Sequence, residues 1–164
     1  MRSELQAKLH ELFEYKDGAL YWKHHRGSQK CKGKKAGTLR KNGYYAFRVR
    51  ELGGAMLVHR AIWCMFNGEL PSMIDHINCD KTDNRIENLR IANREQNGQN
   101  RAMPSHNTSG VKNVNWLGRL NKWAVTSRVN NKKKHFGVYE DLELAELVAY
   151  EVRDTFHGEF ARHN

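Results

Sequence analysis

The stretch 74–101 reads IDHINCDKTDNRIENLRIANREQNGQNR, and few folds accommodate it. An acid stands beside a histidine at Asp75-His76. A polar, turn-rich loop follows through Asn84. Asn88 comes next, then a short apolar run, then a polar segment carrying Asn97. The pattern predicts a strand over 73–77 and a loop over 78–84 rich in residues that hydrogen-bond their own backbone. A second strand is expected over 89–92. Asn93 is a good N-cap, because Gln96 stands three residues later, and the helix it opens is expected to reach about Arg101.

These residue types suit one chemistry. Phosphodiester hydrolysis needs an activated water and a charge to neutralise the leaving oxygen. An imidazole serves the first need near neutral pH. A divalent ion on oxygen ligands serves the second. Asp75 offers a carboxylate of the kind that Mg²⁺ or Mn²⁺ prefers. Strand neighbours point to opposite faces, so Asp75 and His76 can do separate jobs. Asn93 and Asn97 would share a helix face; capping assigns Asn93 to the backbone, which leaves Asn97 as the preferred second ligand. Asn84 reads as a turn former. An EF-hand is excluded, because Ile77 falls on a ligand position and no central glycine is present.

Charge points the same way. The net charge is +10 and the pI about 9.7. Residues 18–50 carry ten Lys or Arg and no acid, and 110–137 carry seven and no acid. Residues 140–164 reverse the sign, with seven acids against two Arg. Such segregation suits a polyanion better than a merely solvated surface. Cys31, Cys64 and Cys79 form no C-x-x-C pair, so neither a zinc site nor a disulfide framework is expected. No apolar run approaches membrane-spanning length, and the expectation is a soluble, intracellular protein.

Upstream, 3–13 reads as a helix with a Ser3/Gln6 capping box. Asp17-Gly18 and Asn42-Gly43 mark hairpins. The basic segment 23–35 is expected as a loop mobile without DNA. In the strand 44–50, Tyr45, Phe47 and Val49 share one face. Gly53-Gly54 is a turn, and 57–67 is a helix stopped by Gly68. Residues 103–109 are a linker by composition. Beyond it, 111–116, 122–129 and 132–136 read as three strands, with a turn at Asn130-Asn131. An amphipathic helix over 141–157 is capped by Asp141, and Leu144, Ala145, Val148, Ala149, Val152 and Phe156 are its expected inward face. Alternation over 122–129 puts Lys122, Thr126 and Arg128 on one side and Trp123, Val125 and Val129 on the other.

Asp75-His76, DNRIENLR at 83–90 and REQNGQN at 94–100 together resemble an HNH homing endonuclease with its ββα-metal motif. DGALYWK at 17–23 and VHRAIW at 58–63 also resemble phage and intron-encoded members. The resemblance implies His76 as general base, Asp75 and Asn97 as metal ligands, and Asn88 orienting the imidazole through its side-chain carbonyl. An Asn stands where the last His of the name would be, a variant familiar in phage members. His59, in the His-Arg pair, and Asn93 are second-tier site residues. Arg85, Arg94 and Arg101 are candidate phosphate contacts.

SGVKNVNW, KWAVTSRV, HFGVYEDLELAELVAYEV and HGEFARHN, within 109–164, resemble an AP2 DNA-binding domain. There a three-stranded sheet lies in the major groove with its helix behind. By that analogy Lys112 and Trp116 join Lys122, Thr126 and Arg128 on the DNA face. Val114 and Thr126 stand at positions that carry Arg in that family, so base preference does not transfer.

The expectation is thus an α+β chain. An HNH domain occupies 1–102 with its ββα-metal core at 73–101, the linker is 103–109, and an AP2-like domain occupies 110–164. The function expected is a site-preferring endonuclease on double-stranded DNA that uses one Mg²⁺ or Mn²⁺. It would be a monomer without small-molecule cofactor or membrane partner, in the host cytoplasm if phage-encoded. The alternative is a non-catalytic DNA-binding regulator on a degenerate HNH fold. An RNA-binding protein is a third, weaker reading.

Overall fold

The computed structural model describes residues 3–163. The described residues are mixed α/β, with several small sheets and four α-helices, and form two compact units that divide between Ile91 and Ala92. Among the described residues no helix is long and apolar enough to cross a membrane.

The first unit opens with α1 (Glu4–Leu12), whose N-cap Ser3 accepts from Gln6 N. The reciprocal half of the expected capping box is replaced: the buried Gln6 amide donates instead to Met65 O at 2.9 Å. β1 (Phe13–Lys16) and β2 (Ala19–Trp22) form a hairpin. Asp17 (φ 46°) and Gly18 (φ 74°) make its turn, in the left-handed conformation that hairpin twist favours. The next segment, the basic one, runs back along β2, held by Gly33 N to Trp22 O at 2.7 Å and Ala36 N to Leu20 O at 2.7 Å. Those bonds tie to β2 the segment that was expected as a mobile loop.

β3 (Thr38–Leu39), β4 (Tyr45–Val49) and β5 (Gly54–Leu57) form a three-stranded antiparallel sheet. β5 lies where only a turn and a helix start were expected, and its end leads straight into α2 (Val58–Asn67). Gly68 ends α2 in the left-handed conformation (φ 79°), with its N–H on Cys64 O. Leu9, Phe13, Leu20, Phe47, Val49 and Ile62 fill the core between these elements. Phe13 is its centre, 4.8 Å from Phe47 and 4.5 Å from Trp22 between ring centroids. Burying a side chain of that size contributes roughly 1.5–3 kcal/mol. α2 is thereby fixed against the last pair, β6 (Ile74–His76) and β7 (Leu89–Ile91), whose Ile74 and Leu89 enter the same core.

The second unit starts with α3 (Arg94–Gln99), a helix of six residues. Its capping box is complete: Asn93 accepts from Gln96 N at 2.9 Å, and Gln96 accepts from Asn93 N at 2.8 Å. The segment expected as a linker is a built turn, because Asn107 and Ser109 side chains bond the carbonyls of Val111 and Val114. β8 (Val114–Leu117), β9 (Lys122–Val129) and β10 (Lys132–Tyr139) form an antiparallel sheet with β9 in the centre. Asn130 (φ 53°) and Asn131 (φ 59°) turn β9 into β10. Beyond the expected end of β10, a register shift between His135 and Val138 bulges the strand at Gly137.

α4 (Leu142–His157), capped by Asp141 on Glu143 N, packs Ala145, Ala149 and Val152 into the sheet. Two expected inward residues differ. Leu144 and Phe156 are 49% and 44% exposed, and Arg153 is fully buried in their stead. Its Nη1 donates to Lys112 O at 2.6 Å, its guanidinium stacks 4.6 Å from the Tyr150 ring, and burial lowers its affinity for the proton. Periodicity places α4's inward stripe only approximately, because a long polar side chain can turn in where a carbonyl receives it.

Candidate active site

β6 delivers the acid and the histidine on adjacent positions, and β7 pairs them with Arg90 and Leu89 respectively. Both are buried, Asp75 at 6% exposure and His76 at 4%. Across the ladder Arg90 grips Asp75 Oδ2 through Nε at 3.1 Å and Nη2 at 3.0 Å. Removing either partner would leave a buried charge without its counter-ion, the costly case for an interior pair.

His76 Nε2 lies 3.0 Å from Asn84 Oδ1, in a contact closed to solvent. An amide oxygen only accepts, and Asn84 Nδ2 is directed to Thr82 O at 3.4 Å. The ring proton therefore belongs on Nε2, which puts the basic lone pair on Nδ1. Asn88, expected to orient the imidazole, is engaged in the loop. Its Oδ1 accepts from Asn78 N at 3.0 Å, and its Nδ2 donates to Asn78 Oδ1 at 2.9 Å and Asp83 O at 2.7 Å. Asn88 thus braces the segment that carries Asn84.

The same segment is stiffened at other points. Cys79 takes a left-handed turn (φ 63°) with its N–H on His76 O. Asp80 accepts from Thr82 N and Oγ1, which holds its carboxyl below the usual range. Asp83 receives Arg85 through Nε and Nη2 at 2.8 and 2.7 Å, and that bonding pushes its carboxyl down to about 2. Arg85, a candidate phosphate contact, is thereby paired within the loop.

Two rings close the site beside His76. His59, from the first turn of α2, has its ring centroid 5.0 Å away. Burial, then His76, then Arg60 push the His59 imidazole down to about 3, so it is neutral near pH 7. Tyr44 stands 5.2 Å from His59 and 5.9 Å from His76. Burial and the Asp75 carboxylate raise its phenol, so its hydroxyl stays protonated. Lys81 reaches over the Tyr44 ring at 4.8 Å and donates to Asn42 O.

Among the described residues no three His, Cys, Asp or Glu side chains converge as a metal cluster. The donor set around β6 is one carboxylate amid amide oxygens and the His76, His59 and Tyr44 rings. That fits a hard divalent ion which keeps much of its water, and it does not fit zinc.

In the second unit, Asn93 caps α3, and Asn97 is a half-buried residue of that helix whose N–H donates to Asn93 O. Arg94 and Arg101 are exposed. β-ladder register sorts the sheet residues. Lys122, Thr126 and Arg128 share the outer face with Asn115, Lys133 and His135. Trp116 does not. It pairs directly with Trp123, at 4.7 Å between rings, on the face that Val114 and Val125 turn to the core. Although Trp116 is 45% exposed, its exposure is at the rim of the inner face. Lys112 also departs from the expected outer face. It is buried, with Nζ donating to Gln99 O and Arg101 O, both at 2.8 Å.

Tyr44 and Lys81 were not singled out from the sequence, Asn84 was read as a turn former, and Arg90 was read as a possible phosphate contact rather than as the partner of Asp75. Arg90 had a readable signal, since pairing 73–77 with 89–92 sets it near Asp75. For Asn84 the composition indicates a turn equally well, and no spacing rule names its ring partner.

Residues 56–99 match the family model described as HNH endonuclease, a span that contains Asp75, His76, Asn88 and Asn97. Protein 3.8 of Escherichia phage T7 is 33% identical over 106 residues, covering 63% of this chain and 87% of that protein. A protein of Acanthamoeba polyphaga mimivirus described as an uncharacterized HNH endonuclease is 30% identical over 117 residues, covering 68% of this chain and 58% of that protein. No solved structure matches the chain. Carrying an HNH endonuclease domain and spanning most of protein 3.8 at that identity, the chain belongs to the same family as this phage protein.

Proposed function

We propose that the chain is a metal-dependent DNA endonuclease of the homing type, with His76 as general base. The observation that carries this reading is the buried His76–Asn84 contact at 3.0 Å beside the Asp75 carboxylate, inside the matched HNH span. Holding Nε2–H on an amide oxygen fixes the ring and its tautomer and leaves Nδ1 to take a proton from water. Asn88 acts as a positioning residue, through the loop that carries Asn84. A neutral His59 beside the base adds no like charge when His76 becomes an imidazolium.

Asp75 and Asn97 would hold a single Mg²⁺ or Mn²⁺; Asp75 is supported by its burial beside the base, Asn97 by the motif spacing alone. When bound, such an ion neutralises charge on the transition state and on the leaving 3′-oxygen. Arg90 then has a second task, keeping the Asp75 carboxylate oriented in a poorly hydrated site.

The second unit docks the duplex. Supporting this are its basic strands, the outer-face set Lys122, Thr126 and Arg128, and the sheet-plus-helix layout resembling an AP2 domain. Arg94 and Arg101 add exposed positive charge next to α3.

One observation favours a second reading. The Asp75 carboxylate is engaged by Arg90 within the unit, as it would be in a degenerate nuclease fold retained for DNA binding. Incubating supercoiled plasmid with the protein, with and without Mg²⁺, separates the two. The endonuclease reading expects Mg²⁺-dependent nicking or linearisation, and expects His76→Ala to abolish it while duplex affinity stays within about twofold. Wild-type protein that binds the plasmid and leaves it intact at every Mg²⁺ concentration would establish the regulator instead.

A further inference from the structure

We propose that the second unit contains a phosphate-binding cleft, at the junction of α3 with the ends of β9 and α4, that takes a nucleotide phosphate. The inference rests on the DNA-binding reading above and deepens it, because the cleft lies beside the sheet's outer face and shares only Arg128 with it. The cavity measures about 390 Å³ and is lined by Arg94, Arg101, Lys112, Ser127, Arg128 and His157. That volume suits a nucleotide-sized group.

Three features specify the ligand. First, Arg94, Arg101 and Arg128 all line the cavity, are exposed and make no ion pair among the described residues, so positive charge outweighs the single acid in the wall. The acid in the wall, Glu95, accepts the backbone N–H of Asn131 at 3.0 Å. Guanidinium is the side chain best matched to phosphate oxygens.

Second, the cleft contains a buried acceptor. His157 is 8% exposed, and its Nε2 lies 3.2 Å from Arg128 O and 3.2 Å from Ser127 Oγ. A carbonyl only accepts, so Nε2 carries the proton and Nδ1 the lone pair. Nδ1 is buried and has no partner within the protein. Burial lowers this imidazole's pKa, which keeps the ring neutral and accepting. Third, Gly98 forms part of the wall, and a Cβ added there would meet nothing within 4 Å, so the backbone leaves open space for close approach. A phosphate that the arginines can grip is what a nucleotide offers, whether within a strand or as a monomer.

The test is anisotropy binding of the full chain to a labelled duplex in EDTA, titrated over salt, so that cleavage plays no part. Arg94→Gln and Arg101→Gln, neither of them on the outer face, are each expected to weaken binding about fivefold and to flatten the salt dependence by about one phosphate contact. Combining them should weaken binding by less than the product of the two, because both grip one group. Arg119→Gln, in the exposed turn between β8 and β9, removes the same charge away from the cleft and should stay within about twofold of wild type. Competition by a deoxynucleoside monophosphate, matched in ionic strength with inorganic phosphate, identifies the source. Displacement by the monomer assigns the cleft to nucleotides generally, and displacement by neither assigns it to strand phosphates. If the cleft variants bind like Arg119→Gln while Lys133→Gln on the outer face weakens binding, the cleft is overturned and docking by the sheet survives. Wild-type protein with no duplex affinity at low salt overturns both.

Discussion

His59 is held neutral by its surroundings, and that has a measurable cost in acid. Its imidazole is pushed down to about 3 from an ordinary value of 6.5, chiefly by burial. Between those values the unfolded chain binds a proton that the folded chain refuses. Stability from this site is therefore intact above about pH 6.5 and is lost progressively as pH falls toward 3, by an amount on the order of a few kcal/mol. Urea midpoints across that range should drop less steeply for His59→Gln than for the wild-type chain; parallel curves would mean that His59 titrates normally. At this scale the sequence showed which types of residue mattered but not their partners. Asp75 and His76 are neighbours on β6, and the His59 ring at the start of α2 lies beside His76. Asn84 read as a turn former because its composition is that of a turn, and its contact with His76 depends on how a loop folds back. Lys112 read as a DNA contact by analogy, yet two α3-end carbonyls draw its ammonium inward.

Among the elements, turns were the most legible. Asp17-Gly18, Asn42-Gly43, Asn130-Asn131 and Gly68 each carry residues that tolerate positive φ, and Gly18, Gly43, Gly68 and both asparagines of the Asn130-Asn131 turn adopt it. Gly18 shows why the first hairpin matters to the site. A Cβ there would lie 2.8 Å from Arg85 N and 3.1 Å from Asn84 C, so the hairpin turn sits against the backbone of the loop that holds His76. Gly18→Ala combines an unfavourable φ with that collision, and is expected to cost about 1–3 kcal/mol and to lower cleavage as Asn84 moves. Thermal unfolding with plasmid cleavage on the same samples checks it; unchanged cleavage at a lowered Tm would show that the loop absorbs the shift. β5 was missed because GAML contains two small residues and directly abuts an apolar helix, so its period of two never accumulates. The inward face of α4 was drawn one side chain too wide at each end, since hydrophobicity alone does not anticipate a buried Arg153.

For the whole molecule, the two compact units divide between Ile91 and Ala92, whereas the linker was expected from composition at residues 103–109. Lys112 ties the second unit together. Its Nζ takes the carbonyls of Gln99 and Arg101, and its own carbonyl takes Arg153 Nη1, so one residue joins α3, the approach to β8 and α4. Lys112→Met should lower unfolding stability by about 2–3 kcal/mol, because the carbonyls it serves are left in the interior. Reduced duplex affinity at an unchanged Tm would instead restore Lys112 as a phosphate contact. The split of sign within the second unit has its own consequence. Lys and Arg lie on β9 and β10, while Glu143, Glu151 and Asp154 stand exposed along α4. Such a body has a permanent electric moment running from helix to sheet. In the field of a polyanion it experiences a torque, so it rotates strands-first before any atom touches, and that pre-alignment raises the encounter rate without favouring one base sequence over another.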